Sequence, residues 1–317
     1  MSVTGRVRIG TRRSALALWQ AGHVKAGLER AWPNLNVEIV KVVTTGDRIR
    51  DRPLASIGGK ALFVKELEEQ LLQGDLDLAV HSMKDVPAVI PDGLDLVATT
   101  RREDAADAFV ARAPDLTPGL AALPEGALVG TGSLRRACQI KSWRGDIRIA
   151  QIRGNVDTRL RKLDEGRVDA LLLAVAALNR LGLSHRVTER VPFERCLPAV
   201  GQGALAIEAR ANDDRIRDLV APLNHYETAI CVEAERGFLS RLDGGCRVPI
   251  AGYAELYEQG VRLRGLVGRP DGSRIVLHEK CGEVTEAWTT GVALAENLLA
   301  KGAGELIGEV LAHGDGS

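Results

Sequence analysis

Side chains able to hold charge and move protons follow directly on one short apolar run. Leu76 to Val80 has the length and character of a strand buried inside a sheet. His81, Ser82, Lys84 and Asp85 come straight after it, and Pro87 then stops regular continuation. In open α/β sheets ligands lie beyond the carboxyl ends of the strands, so this is where a substrate would meet a carboxylate, an ammonium and an imidazole. A solvated loop with ordinary charges fits the same spacing.

Cations gather further along, at Arg135, Arg136, Arg153, Arg159, Arg161 and Arg180. Arg135 and Arg136 fall in the first turn of an expected helix, where positive charge opposes the dipole. Two cations there make sense facing an anion, ideally a carboxylate gripped by the guanidinium fork; otherwise both point into water. Arg12 and Arg13 occupy the matching turn of the first half. Arg161 and Lys162, beside Asp164 and Glu165, read as solvated face. Cys246 sits in Gly244-Gly245-Cys246-Arg247-Val248-Pro249, where paired glycines leave the sulfur uncrowded and Arg247 favours thiolate. None of the 6 histidines is identifiable as the partner of a cysteine nucleophile, so attachment of a covalent group is the better reading. Cys138, Cys231 and Cys281 are expected to be inert core residues.

The elements that must position these groups follow from periodicity and punctuation. Val7-Arg8-Ile9 starts a strand, Gly10 to Ser14 turns, and Leu16, Leu18, Trp19, Val24 and Leu28 mark the apolar face of a helix ending before Pro33. A strand, a Gly-Thr turn and a Ser-opened helix form an anion-binding arrangement. Val37 to Val43 is a second strand. Arg48 to Ser56 lacks apolar periodicity and reads as a mobile cover or a plain surface excursion. Ile57-Gly58-Gly59-Lys60 lacks the full spacing of a P-loop. A helix from Phe63 to Gln73, with Leu67 and Leu71 inward and Gly74 ending it, leads into the Leu76 strand. After a strand at Leu94 to Ala98 the chain crosses into a second half that repeats the first in outline. Leu128-Val129-Gly130-Thr131-Gly132-Ser133 matches Arg8 to Ser14, Ile147 to Gly154 matches the second strand, and Leu160 to Asp169 matches the helix before the Leu76 strand. Gly201-Gln202-Gly203 precedes a strand at Leu205 to Ala209, and Asp213 to Leu223 connects onward. A third, smaller unit follows: a helix from Glu227 to Leu242, strands at Pro249 to Leu256, Val261 to Val267 and Arg274 to Glu279 with a Pro270-Asp271-Gly272 turn, and closing helices from Glu286 and Lys301.

Composition narrows the classes. The 317 residues are 45% hydrophobic and carry 42 basic against 42 acidic side chains, so no global field recruits nucleic acid or anionic lipid. No apolar stretch is long enough to span a bilayer, and no apolar signal region opens the chain. The 5 cysteines show no CxxC spacing, which argues against a zinc site or disulfide framework and fits a reducing cytoplasm.

Taken together, these segments resemble the porphobilinogen deaminase family over nearly the whole chain. The resemblance rests on Arg8-Ile9-Gly10-Thr11-Arg12 with Leu18-Trp19-Gln20, on Gly59 to Leu67, on His81-Ser82-Met83-Lys84-Asp85-Val86-Pro87, and on Ser133-Leu134-Arg135-Arg136. It continues through Arg153-Gly154-Asn155-Val156, Gly201 to Leu205 and Gly244-Gly245-Cys246. What it implies is α/β architecture: two periplasmic-binding-protein-like domains flanking a cleft, plus a small α+β C-terminal domain with a three-stranded antiparallel sheet. The expected divisions are residues 1–101 with 202–222, then 102–201, then 223–317. The resemblance further implies a cytoplasmic monomer without metal, bearing one dipyrromethane cofactor joined by thioether to Cys246.

The implied reaction deaminates four porphobilinogens and condenses them head to tail into hydroxymethylbilane, a precursor of haem. Loss of ammonia leaves an electrophilic azafulvenium, and a nearby carboxylate would stabilise the developing positive charge. By resemblance Asp85 is that carboxylate. The cofactor would be held by Ser82, Lys84, Asp85, Thr131, Ser133, Arg135, Arg136, Arg153, Gly154 and Asn155. Arg12, Ser14, Lys60, Phe63, Arg153, Arg159, Arg180 and Gln202 would bind porphobilinogen and the growing oligopyrrole, whose rings each carry an acetate and a propionate. Arg48 to Gly59 matches a family lid. Gly132 stands where the family often has Ser, and Arg247 where Gln is common. The residues alone also fit a non-catalytic two-domain binder of small carboxylates.

Overall fold

The computed structural model describes residues 5–45, 64–242, 248–258 and 260–314. Among these residues the strands form three sheets. In the first, β1 (Gly5–Arg12), β2 (Leu35–Val42) and β3 (Leu78–Ser82) run parallel in the order β2-β1-β3. β10 (Leu205–Arg210) follows antiparallel, with β4 (Leu94–Thr99) beyond it. In the second, β6 (Leu128–Gly130), β7 (Arg148–Ala150) and β8 (Ala170–Ala174) run parallel in the order β7-β6-β8. β5 (Asp107–Ala111) follows antiparallel, then β9 (Glu189–Val191). Strand order and direction are the same in both, so the internal echo in the sequence is a repeated fold. The antiparallel fourth strand of each sheet is laid down as the chain crosses over: β5 comes after β4, and β10 after β9.

The third sheet is an antiparallel meander of β11 (Ile250–Tyr257), β12 (Gly260–Gly268) and β13 (Ile275–Glu283). Its second turn is the expected one: Gly272 has φ 75° and its N–H donates to the Arg269 carbonyl at 2.9 Å. By density of contacts the chain divides into two compact units, Met1–Glu103 with Ala204–Ile230 and Asp104–Gly203 with Cys231–Ser317.

Helix α1 (Ala15–Ala31) presents Ala17, Gln20, Ala21, Val24 and Leu28 to the first sheet. The expected face built on Leu16, Leu18 and Trp19 is therefore rotated. Small alanines let the helix approach the strands closely, while Trp19 is 40% exposed and stacks on His23. Helix α2 (Lys65–Gln73) buries Leu67 and Leu71 completely, against Leu76 and Ala79. Gly74, in the left-handed region at φ 78°, ends it as expected. Among the lone cysteines, Cys138 and Cys231 are buried, and burial pushes the Cys138 thiol up to about 12. Cys281 departs from the expectation: on β13 it is exposed, because alternate residues of that strand face out of the sheet.

The register of β3 against β1 is locked by one carboxylate. Asp77 accepts from the Arg8 backbone N–H at 2.7 Å and from its guanidinium at 3.2 and 3.0 Å, and its own N–H donates to the Arg8 carbonyl at 3.0 Å. Burial alone would raise the Asp77 carboxyl, but the Arg8 bonds and charge outweigh it and hold the group below its ordinary value. A depressed native value stabilises fully above the unfolded carboxylate range, about pH 4, and is lost as pH falls through it. Asp77→Asn is thus expected to cost about 1.5–3 kcal/mol near neutrality. In urea melts the difference from wild type should shrink as pH drops toward 3; a constant difference would refute the assignment.

Candidate active site

The carboxyl ends of β1 and β3 and the start of α1 enclose a cavity of about 70 Å3, lined by Arg12, Ser14, Gln20, His81, Ser82 and Asp85 among others. Local bonds fix each liner. Ser14 caps α1 by accepting from Ala17 N–H at 3.2 Å, and the Thr11 hydroxyl donates to the Ala17 carbonyl at 3.1 Å. Gln20, buried on α1, donates to the Ser82 hydroxyl at 2.7 Å, tying helix to strand end. Asp85 closes a single 3-10 turn, Met83–Asp85, whose first residue, Met83, and following residue, Val86, are buried. Met83 N–H donates to the Ala204 carbonyl at 3.0 Å and Val86 N–H to the Met83 carbonyl at 3.1 Å. The carboxylate is thereby presented on rigid, anchored backbone with the Arg12 cation on the same cavity wall, and Lys84 is partly exposed on the same turn.

The second sheet carries the arginines. Ser133 caps α3 (Leu134–Trp143), accepting from Arg136 N–H at 3.4 Å, and Thr131 accepts from Ser133 N–H at 3.2 Å. Arg135 and Arg136 do not point into water. Both are buried, and the anion they meet is Asp107, the first residue of β5. Arg135 makes a fork, donating at 2.7 and 3.1 Å to the two Asp107 oxygens, and also reaches the Leu197 carbonyl at 2.7 Å. Arg136 donates through Nε at 2.9 Å to Asp107 and through its terminal nitrogen at 3.0 Å to the Leu172 carbonyl. Gln202 adds a bond of 2.9 Å and the Cys196 thiol one of 3.2 Å.

Burial works against the charge on Asp107, yet the two arginines hold its carboxyl far below the usual range. Burial and the Asp107 charge push the Cys196 thiol upward, so it stays neutral. Among the described residues, two guanidiniums meet one carboxylate in this cluster.

The turn that places Gln202 is braced: Gly201 and Gly203 have φ 72° and 92°, Glu235 accepts from Gly201 N–H at 2.6 Å, and Arg180 donates to the Gly203 carbonyl at 2.5 Å. Arg153, Gly154 and Asn155 form the turn before α4 (Val156–Asp164). Gly154 has φ 110°, and the Asn155 side chain makes no cap bond to the first turn of α4. Arg159 donates to the Gly154 carbonyl at 2.7 Å. Arg161 is solvated face as expected, whereas Lys162 turns in to the Arg153 carbonyl at 3.1 Å.

The expected residues thus fall into two groups. Arg12, Ser14, Ser82, Lys84 and Asp85 gather in the first unit, and Thr131, Ser133, Arg135, Arg136, Arg153, Gly154, Asn155, Arg159, Arg180 and Gln202 in the second. Lys60, Phe63, Cys246 and the Arg48 to Gly59 stretch lie outside the described residues. Sequence reasoning missed Gln20, Glu208 and Asp107. Each had one signal: a polar residue set in an otherwise apolar buried face or strand.

A mixed five-stranded sheet used twice, each time with a capped helix start and polar groups at the strand ends, defines an α/β binding scaffold joined to a small antiparallel C-terminal sheet. Comparison with family models sharpens that class. Residues 7–218 match "Porphobilinogen deaminase, dipyromethane cofactor binding domain" and residues 229–300 match "Porphobilinogen deaminase, C-terminal domain". The chain belongs to the porphobilinogen deaminase family of transferases, whose place is tetrapyrrole biosynthesis and whose cofactor is dipyrromethane. Similar solved structures include the periplasmic VFT2 domain of Bordetella pertussis BvgS (14% identity, 69% of this chain and 86% of that one, TM-score 0.42). The methionine-binding protein MetQ is another (13% identity, 71% and 93%, TM-score 0.43). No described helix is long and apolar enough to cross a membrane.

Proposed function

We propose that this protein is a hydroxymethylbilane synthase, which deaminates four porphobilinogens and joins them head to tail. The observation that carries the reading is the pair of buried guanidiniums that meet a single carboxylate, Asp107, among the described residues. Guanidiniums grip carboxylates, and every ring of the substrate and product carries two. The same donor set fits dipyrromethane. Ser82, Lys84, Asp85, Thr131, Ser133, Arg135, Arg136, Arg153, Gly154 and Asn155 would hold it, with Cys246 as the attachment point. Bound there, the cofactor supplies the nucleophilic pyrrole carbon that primes the chain. Asp85 sits beside the positive charge that develops as porphobilinogen loses ammonia and stabilises it from a fixed position. Arg12, Ser14, Lys60, Phe63, Arg153, Arg159, Arg180 and Gln202 bind the incoming porphobilinogen and the growing chain. In this reading the chain is organised as three domains: residues 1–101 with 202–222, then 102–201, then 223–317.

A binder of small carboxylates would use the same arginines but has no use for a tethering cysteine. Intact mass of the unfolded protein separates the two. The expected result is an adduct of two porphobilinogen units less two ammonias, absent from Cys246→Ala. An unmodified wild-type chain that gains no adduct when incubated with porphobilinogen would sink the reading.

A further inference from the structure

A second cavity, of about 290 Å3, opens on the first unit among residues that the proposed chemistry does not use. One wall is helix α1, where His23, Gly27 and Arg30 recur at helical spacing on one face. The others are Thr100 and Arg101, just past β4, and residues 222–225, which lead into the helix Tyr226–Leu242. Val24 and Thr100 on these walls are buried. Leu223 packs over Gly27 so closely that a Cβ there would lie 2.7 Å from its Cδ2. The space is near the lower end of small-molecule sites, roughly 300–1,000 Å3.

The chemistry of the lining is one-sided. Its ionisable side chains among the described residues are His23, Arg30, Arg101 and His225, with no carboxylate. Elsewhere the chain balances 42 basic against 42 acidic groups. Glu29, the only acid on α1, pairs with Lys25 at 3.5 Å, and neither Arg30 nor Arg101 has an ion-pair partner among the described residues. The helix dipole would explain Arg30, which stands in the last turn of α1, but Arg101 belongs to no helix. Hydrogen bonds decide what the neighbouring polar groups can offer. Asn224 Oδ1 accepts from Thr99 N–H at 2.9 Å, which leaves its amide nitrogen as donor. His225 is anchored through its backbone N–H to the Thr99 carbonyl at 2.8 Å. Its Nδ1 accepts from Thr228 N–H at 3.3 Å and lies 2.9 Å from the Thr228 hydroxyl. A ring whose Nδ1 accepts carries its proton on Nε2. What Arg30, Arg101, Asn224 and His225 have left to give is N–H donors.

We propose that this cavity is a binding site for a small organic anion bearing two or more negative charges, as phosphate or carboxylate groups, separate from the site of the proposed reaction. Arg30 and Arg101 hold the anionic groups through charge-assisted bonds, and two guanidiniums favour a dianion over a singly charged ion. Asn224 and His225 add N–H donors held by bonds that exist without the ligand, so they need no rearrangement to bind it. Val24, Gly27 and Leu223 form the apolar side, against which the carbon body lies. The assignment does not depend on the function proposed above.

The test follows the imidazole signals of the full-length protein by NMR as pyrophosphate or citrate is added, with acetate and chloride at equal ionic strength as singly charged controls. His23 and His225 line this cavity. His81 lines the active-site cavity, its Nε2 2.9 Å from Glu208, and reports binding there. His23 and His225 should shift together and saturably with pyrophosphate, citrate or both, and not with the controls. Both arginines are exposed, so a double variant, Arg30→Gln with Arg101→Gln, should fold as wild type does. It should weaken that binding by about tenfold or more, while the His81 response stays as in wild type. Binding of pyrophosphate alone assigns the site to phosphate groups, and binding of citrate alone to carboxylates. The proposal is overturned if neither probe shifts His23 and His225 saturably, if acetate and chloride shift them equally, or if the double variant binds as tightly as wild type.

Discussion

Asp85→Asn is expected to lower porphobilinogen turnover by about a hundredfold or more, roughly 3 kcal/mol of transition-state stabilisation, while the chain keeps its covalent adduct. The argument is geometric. Asp85 ends a 3-10 turn whose first residue, Met83, is buried and bound through its N–H to the Ala204 carbonyl, and which is followed by buried Val86, so the backbone holds the carboxyl group whatever its charge. Asn keeps shape and removes charge. The loss should therefore appear in kcat, where positive charge develops, more than in KM, which the arginines set. Melting temperature should stay near that of wild type, since Asp85 is only partly buried. Single-turnover kinetics on adduct-bearing protein make the measurement. Wild-type turnover in Asp85→Asn would remove Asp85 from the chemistry, and loss of the adduct would make it a holding group instead.

Much of this framework was legible in the residues, and the parts that were not have physical reasons. Strand, Gly-Thr turn and Ser-opened helix recur in both halves, and the sheets built from them share one strand order. Gly74 and the Pro270-Asp271-Gly272 turn stopped their elements as their backbone angles require. The face of α1 was misread because hydropathy favours large side chains, whereas close approach to a sheet selects small ones. Ala17 and Ala21 therefore face inward and Trp19 outward. The arginine pair was legible as a pair needing an anion, but its internal partner was not. Asp107 stands in Ala105-Ala106-Asp107-Ala108-Phe109, at the start of β5, whereas Arg135 lies on α3, and nothing local links the two. Glu208 hid in the same way within Leu205 to Ala209. A single charge inside an apolar strand run marks a buried polar partner elsewhere in the fold, and tertiary packing decides which.

That buried pair predicts the second large effect. Asp107→Ala is expected to destabilise the unit containing it by about 3–5 kcal/mol, because two desolvated guanidiniums would lose the counter-charge they share among the described residues. In thermal unfolding this is a drop on the order of 10 °C for that unit. Asp107→Asn should fall between wild type and Ala, since the amide still accepts from one arginine but turns N–H donors toward the other. The pH dependence carries a sign. The native carboxyl lies far below the unfolded one, so its stabilisation is complete above about pH 4 and is lost progressively as pH falls below that. Wild type and Asp107→Ala should therefore converge in strong acid. If the cluster serves carboxylate ligands, formate or acetate entering the space left in Asp107→Ala should restore part of the lost stability, and chloride at equal ionic strength should not. An Asp107→Ala protein melting within about 2 °C of wild type would mean that the arginines find another anion or reach water, and the buried-cation argument for carboxylate binding would fall with it.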